Sequence, residues 1–454
     1  MADTHSTTTQ IAVADVVWRE DLYPRIETSA TTVQKYAEDL SVLPPIEVNQ
    51  HNELIDGWHR LTAHKKNKAE TISVVVTQTT SDAHLLELAI ERNASFGMQL
   101  TTADKRKLAV KIYLSVSDRS DRMATKTRLS RVLSVSAEVL EGWLSRSEKE
   151  LKDQAKEETL NLWLSCHTQD AIAETVGWPQ RTVARWLSGF SQNPASSEMA
   201  ETPESDAAAE DGEKTRETPI KLSKEQLASA DHATDFHTPL YNVWKQQTKT
   251  AGSEHFGNSE VRWLDNLLYL YTQPFDVVID PFAGGGSTID LCRKRLRRYF
   301  VSDRAPIVER EKDIRQHDIA DGLLKPPQWD AVKLVYLDPP YWKQAEGKYS
   351  DDPADLANMD LDTFTARLAG VIKAYAAKVS GHIALIIQPT QWNAPDHAFT
   401  DHIGDMLRLV KLPVEMRYSV PYETQQHNAQ MVDWAKANKQ CLVLTREIVV
   451  WRSA

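Results

Sequence analysis

Cysteine is nearly missing from this 454-residue chain: Cys166, Cys292 and Cys441 lie far apart and form no CxxC pair. That excludes a disulfide framework, argues against a zinc site and fits a reducing compartment. Long apolar runs are missing as well. None approaches the roughly 18 residues of a membrane-spanning helix, and the start, MADTHSTTTQ, has no apolar leader core. No membrane partner and no metal are expected, and the expected compartment is the cytoplasm. There is no excess of positive charge either. The formal net charge of -11 speaks against a protein that coats nucleic acid without selectivity. Local basic faces, which decide DNA binding, are left open. What the chain has in plenty is length, enough for two to four domains.

Composition marks the main break. The stretch 191–225, SQNPASSEMAETPESDAAAEDGEKTRETPIKLSKE, has almost no large apolar residues and reads as part of a flexible linker over 191–235. Before it, residues 8–82 carry short apolar runs at 11–13, 45–48 and 72–76 and a helical stretch near 31–43, a small α/β unit. Residues 83–190 turn helical. Two helix-turn-helix patterns lie there, a weaker one at 123–146 and a stronger one, TQDAIAETVGWPQRTVARWLSGF, at 168–190. In the stronger, Gly177 makes the turn and Gln180, Arg181, Thr182 and Arg185 are the polar side chains that could reach base edges. An ordinary helical hairpin is the alternative. Residues 236–454 alternate strands, at 275–279, 299–301, 334–337 and 382–387, with helical stretches at 287–297 and 361–379. That is the pattern of a doubly wound parallel sheet. The tail, 440–444 and 448–451 joined by Thr445-Arg446-Glu447, reads as an antiparallel hairpin.

Three places carry chemistry. In VVIDPFAGGGSTIDLC, 277–292, a buried strand ends at Asp280 and a glycine-rich turn opens a helix. Such turns line ligand crevices beyond strand ends, and this one lacks the GK[ST] ending of a phosphate cradle. The next strand ends at Asp303, placed to accept from ribose hydroxyls. Asp318 follows, placed for an adenine amino group with Ile319 against the ring. Singly, each aspartate could be a helix cap; in this order they describe a nucleoside pocket. The third place is LVYLDPPYW, 334–342. Pro339 and Pro340 fix φ and remove two N–H donors, which leaves the Asp338 carboxylate and the Pro339 carbonyl as acceptors. An exocyclic amino group needs two acceptors, and Tyr341 offers a flat face for an extruded base.

On these motifs, 236–454 resembles the DNA amino-methyltransferases that modify adenine N6 or cytosine N4. The resemblance implies an α/β fold with a Rossmann-like sheet, S-adenosyl-L-methionine as cofactor, and double-stranded DNA as partner. It implies Asp338, Pro339, Pro340 and Tyr341 as the catalytic motif. It implies that Asp280 meets the methionine amino group, that Phe282, Gly284 and Gly286 line the cofactor, and that Asp303, Asp318 and Ile319 hold its nucleoside. Segments 253–268 and 418–432 resemble the family's upstream motif and its late motif near the base pocket. The front half, 10–190, resembles the ParB-like group through ELIDGWHRL, 53–61, Asn93 and the helix-turn-helix region. Gly57, His59 and Arg60 match a box that in some members binds a nucleotide phosphate, with Trp58-His59 where Glu-Arg is more usual; a structural turn is the alternative. The expected activity is methylation of adenine N6 at specific sites in DNA. Cytosine N4, or a ParB-like regulator with a vestigial methyltransferase half, are the alternatives. A homodimer is compatible with either.

Overall fold

A computed structural model describes all residues except 1–7, 21–22, 25–27, 96–100, 191–216, 248–258, 394–397, 423–427 and 454. They form two compact units, Met1–Ala155 and Lys156–Ala454. Among the described residues no helix is long and apolar enough to cross a membrane.

The first unit opens with strands β1 (Thr8–Ala12), β2 (Ile46–Val48), β3 (Leu54–Asp56) and β4 (Thr71–Val76), in the order β1-β4-β2-β3. Alternate residues of β4 turn to opposite faces, so Ile72 and Val74 are buried with Ile46, Val48, Leu54 and Leu61. The helix expected at 31–43 is Ala30–Glu38, capped by the Ser29 side chain, followed by a 3-10 turn at Leu40–Val42. Helices Asp82–Ser95, Thr102–Ser115, Arg119–Val132 and the start of Ala137–Leu164 then close around Ile90, Ile112, Leu129, Leu140 and Leu144.

The second unit is built on β5 (Val277–Asp280), β6 (Arg298–Asp303), β7 (Arg315–Gln316), β8 (Val332–Leu337), β9 (His382–Ile387), β12 (Val414–Pro421) and β13 (Thr445–Arg452). A short antiparallel pair, β10 (Thr390–Asn393) and β11 (Ala398–Thr400), stands apart. Among the described residues the main sheet runs β12-β13-β9-β8-β5-β6-β7, parallel from β9 to β7 and antiparallel at β13 and β12. Its central strands are apolar on both faces, as strands covered by helices on both sides must be. Val278, Leu334, Tyr336 and Ile386 turn to helices Val261–Tyr271 and Ser287–Lys294. Ile279, Val335, Leu337 and Leu385 turn to helices Leu361–Ala376 and His402–Val410.

Three features differ from the sequence reading. The tail is not a hairpin of 440–444 with 448–451. Thr445-Arg446-Glu447 continues as strand β13, paired with β12 on one side and β9 on the other. No residue there favours a turn, and two open ladders satisfy its backbone. The stretch 217–235 is structured: Ser223 and Gln226 form a reciprocal capping box that starts helix Lys224–Ala230, and Ala230 is buried. The remainder of the expected linker, 191–216, lies outside the described residues. Finally, the second helix-turn-helix shares a core with the sheet. Leu160, Leu164, Ile172, Val183, Leu187 and Phe190 are buried in one cluster with Leu267, Val278 and Tyr299.

Candidate active site

β5 and β8 are parallel neighbours, so Asp280 and Asp338 emerge at the same edge of the sheet. That edge, beyond the carboxyl ends of the strands, is where open α/β sheets bind ligands. Here it holds a small cleft, open to solvent, whose lining includes Ser259, Glu260, Asp280, Phe282, Gly284 and Asp338. Gly286 starts helix Ser287–Lys294 with φ 81°, a backbone that a side chain rarely adopts.

Asp280 is 2% exposed. Its carboxylate accepts from Phe282 N at 2.9 Å and from Thr288 Oγ1 at 2.6 Å. Burial, reinforced by the nearby Asp338 and Asp303 carboxylates, pushes its pKa up to about 7 against those two hydrogen bonds. Asp303 accepts from Gly284 N and Ala305 N, each at 2.9 Å, which ties the glycine loop to the end of β6. Asp318 caps the next turn through Ala320 N at 2.8 Å and pairs with Arg304 at 3.1 Å. Ile319 packs against the core on the other face of the sheet. Neither is among the residues that line the cleft.

Asp338 follows β8 directly. Tyr341 donates to its Oδ1 at 3.2 Å and Tyr336 to its Oδ2 at 3.4 Å. Burial raises its pKa; Arg446 opposes this most strongly, followed by hydrogen bonds from Ser259, Tyr341 and Tyr336. Pro339 is buried and Pro340 and Tyr341 are half-buried. Trp342 is structural: it is buried and donates to Met359 O at 2.9 Å. The described part of the expected upstream motif, 259–268, supplies Ser259, Glu260, Val261 and Leu264 to the cleft wall. The rest, 253–258, and residues 423–427 of the expected late motif lie outside the described residues.

The structure adds Arg446, which no sequence signal marked. It is 7% exposed and sits at the start of β13. Its guanidinium lies 4.5 Å from the Tyr422 ring and 5.1 Å from the Trp263 ring. Tyr422 was within the expected late motif, and it donates to Gln388 Oε1 at 2.8 Å.

The other expected sites lie elsewhere. Gln180, Arg181 and Arg185 are exposed and Thr182 is half-buried on helix Gln180–Leu187, whose opposite side buries Val183, Trp186 and Leu187. In the first unit, Gly57 has φ 109° and begins helix Trp58–Lys66. His59 Nε2 accepts from Ser29 N at 3.0 Å. Arg60 pairs with Asp56 at 2.6 Å and donates to the Pro44 and Pro45 carbonyls.

A family model described as DNA methylase (N6_N4_Mtase) matches residues 136–307, well under half the chain. The match takes in the second helix-turn-helix, the glycine loop and Asp303, and ends before Asp338. A curated relative, the transcriptional regulator NovG of Streptomyces niveus, is 34% identical over 100 residues, 22% of this chain and 31% of that protein. The chain thus spans about a third of the length of that relative. Among solved structures, the chain is similar to a SAM dependent methyltransferase from Archaeoglobus fulgidus. The identity is 11% and the TM-score 0.27, with 42% of this chain and 94% of that one covered. It is also similar to a truncated chromosome-partitioning protein ParB from Caulobacter crescentus complexed with CTP-gamma-S. There the identity is 16% and the TM-score 0.19, with 40% and 79% covered.

Proposed function

We propose that this chain is a site-specific DNA methyltransferase that transfers a methyl group from S-adenosylmethionine to the N6 amino group of adenine. One observation carries the reading: the Asp338 carboxylate and the Tyr341 ring stand at the end of β8, beside a cleft walled by Asp280 and the glycine loop of β5. The matched DNA methylase family supports the reaction class and the cofactor.

The residues present fit that cofactor. Asp280, a buried carboxylate on the cleft wall, suits the α-ammonium group of the methionine end. Asp303, with each oxygen used once by a backbone N–H, keeps acceptor capacity for a ribose diol. Phe282, Gly284 and Gly286 supply a close-fitting turn. When bound, S-adenosylmethionine supplies a methyl group activated on a sulfonium. Asp338 accepts one N–H of the target amine and the Pro339 carbonyl the other, which directs the nitrogen lone pair at that methyl. Tyr341 stacks on the extruded base. The Asp338 carboxylate and the Pro339 carbonyl would hold both amine hydrogens, and the proton that the amine gives up on methylation would pass to solvent.

Cytosine N4 is the alternative target, because its exocyclic amine presents the same chemistry; the Asp-Pro-Pro-Tyr form favours adenine. Gln180, Arg181, Thr182 and Arg185 are proposed to contact DNA. Gly57, His59 and Arg60 retain a nucleotide box as a proposal, with Arg60 already engaged by Asp56 and two carbonyls. Asp318 and Ile319 reach the adenine end only if the bound nucleoside extends beyond the present cleft. The test is Asp338→Ala: methyl transfer to DNA is lost while cofactor affinity is kept, because Asp338 holds the amine and not the cofactor. Near-normal methylation by that variant overturns the assignment.

A further inference from the structure

Burying a carboxylate beside two others is costly unless something holds its charge and direction. Asp338, half-buried, faces that problem, since Asp280 and Glu260 line the same cleft. A buried guanidinium stands close by and does not touch it. Arg446 Nη1 donates to Ser259 Oγ at 2.8 Å and to Tyr341 Oη at 3.2 Å. Tyr341, having accepted from the cation, turns its own proton to Asp338 at 3.2 Å, and the Ser259 hydroxyl, held by the same cation, also favours the Asp338 anion. A relay thus runs from the cation through Tyr341 to the carboxylate, with Ser259 held beside it on the same cation.

The setting of Arg446 fits a dedicated role. Strand β13 places it between Trp263, Tyr422 and Tyr341, with the Tyr341 ring centre 5.7 Å from the guanidinium. Its Nε is buried and has no hydrogen-bond partner among the described residues. Burial works against its charge, yet Tyr341, Tyr422 and Asp338 hold its pKa above the ordinary arginine value.

We infer that Arg446 is a positioning residue for methyl transfer: through Tyr341, with Ser259 held beside it, it orients the Asp338 carboxylate and fixes the ring on which the target base stacks. This rests on the methyltransferase reading. With Tyr341 on Oδ1 and Tyr336 on Oδ2, a carboxylate so held presents its remaining lone pairs to the incoming amine. The charged and titratable groups around Asp338 are Asp280 from β5, Glu260 on the same cleft wall, Tyr336 from β8, Tyr341, Tyr349 and Arg446; Asp303 acts on Asp280 and Tyr349, and Tyr422 faces Asp338 through the cation. Arg446 is the cation among these, so its removal leaves the carboxylates unopposed.

The test uses the full chain with Arg446→Met and Arg446→Lys. Arg446→Met should keep cofactor affinity within about twofold, lower kcat at least about tenfold, and move the acid limb of the kcat profile up by on the order of one pH unit. Arg446→Lys, which keeps the charge, should return the limb towards its original place. An unmoved limb in Arg446→Met, or equal behaviour of the two variants, overturns the inference. A second arm needs no turnover. Infrared difference titration of the chain against Asp338→Asn reads the Asp338 carboxyl directly. Its titration should rise in Arg446→Met, and an unmoved titration overturns the inference. A native chain that methylates no DNA sinks the methyltransferase reading instead, and the infrared arm still decides the role of Arg446.

Discussion

Cofactor affinity should depend steeply on pH because of Asp280. Burial raises its pKa from 3.8 to about 7 in the empty chain. The group is therefore largely protonated at mildly acid pH, and the stability tied to that proton is full below about pH 4 and lost as pH rises through about 7. An ammonium group placed against Asp280 favours the ionised form, so binding near pH 6 releases a proton and strengthens as pH rises. With a pKa near 7 the ionised fraction is about 0.03 at pH 5.5 and about 0.75 at pH 7.5, so affinity should climb on the order of 20-fold across that window. The window closes there because an α-amino group itself loses its proton at roughly 7.7–8.0. Titration calorimetry of S-adenosylmethionine in two buffers of different ionisation enthalpy gives both the affinity and the protons released. Asp280→Asn should bind more weakly with a much flatter profile. A flat profile in the native chain, or the same slope in Asp280→Asn, refutes the assignment of Asp280 to the ammonium.

Gly57→Ala should destabilise the first unit by roughly 2–4 kcal/mol, because φ is 109° and the new Cβ would lie 2.5 Å from Ile46 Cγ2; an unchanged melting profile would count against the backbone described here. A fragment 156–454 should unfold cooperatively and bind cofactor like the whole chain. A fragment 226–454 should not, since it removes Leu160, Leu164, Ile172, Val183, Leu187 and Phe190 from the core, a loss of roughly 9–18 kcal/mol at about 1.5–3 kcal/mol per side chain against a total stability of about 5–15 kcal/mol; a well-folded short fragment contradicts this packing. Arg181→Ala with Arg185→Ala should weaken DNA binding and reduce its salt dependence by about 2 in slope, read by fluorescence anisotropy across a salt series. An unchanged slope removes helix Gln180–Leu187 from the phosphate contacts.

The turn that ends β8 was legible in the sequence because it is local. A strand running into Asp338-Pro339-Pro340-Tyr341 announces both its fold and its acceptors. The glycine loop at Asp280 and the strand ending at Asp303 were legible for the same reason. Arg446 was not. It reads as a turn residue between two tail strands, and it becomes buried beside Tyr341 only because β13 inserts between β12 and β9. Strand insertion is a matter of long-range pairing, which periodicity does not reveal. The docking of the second helix-turn-helix was hidden for a related reason. An amphipathic pattern such as Ile172, Val183 and Leu187 says that a face is covered, not by what. The composition of 191–225 suggested a uniform linker, while the cap signal at Ser223 and Gln226 within it was the local clue to helix Lys224–Ala230.

The central claim is that this chain methylates an exocyclic amine in DNA through Asp338. The most direct measurement is long-read sequencing of DNA from cells expressing the full chain or its Asp338→Ala variant. The native chain should leave N6-methyladenine within a defined sequence context, and the variant should leave none. N4-methylcytosine in its place would keep the mechanism and change the target. Unmodified DNA from a folded chain that binds S-adenosylmethionine would contradict the account.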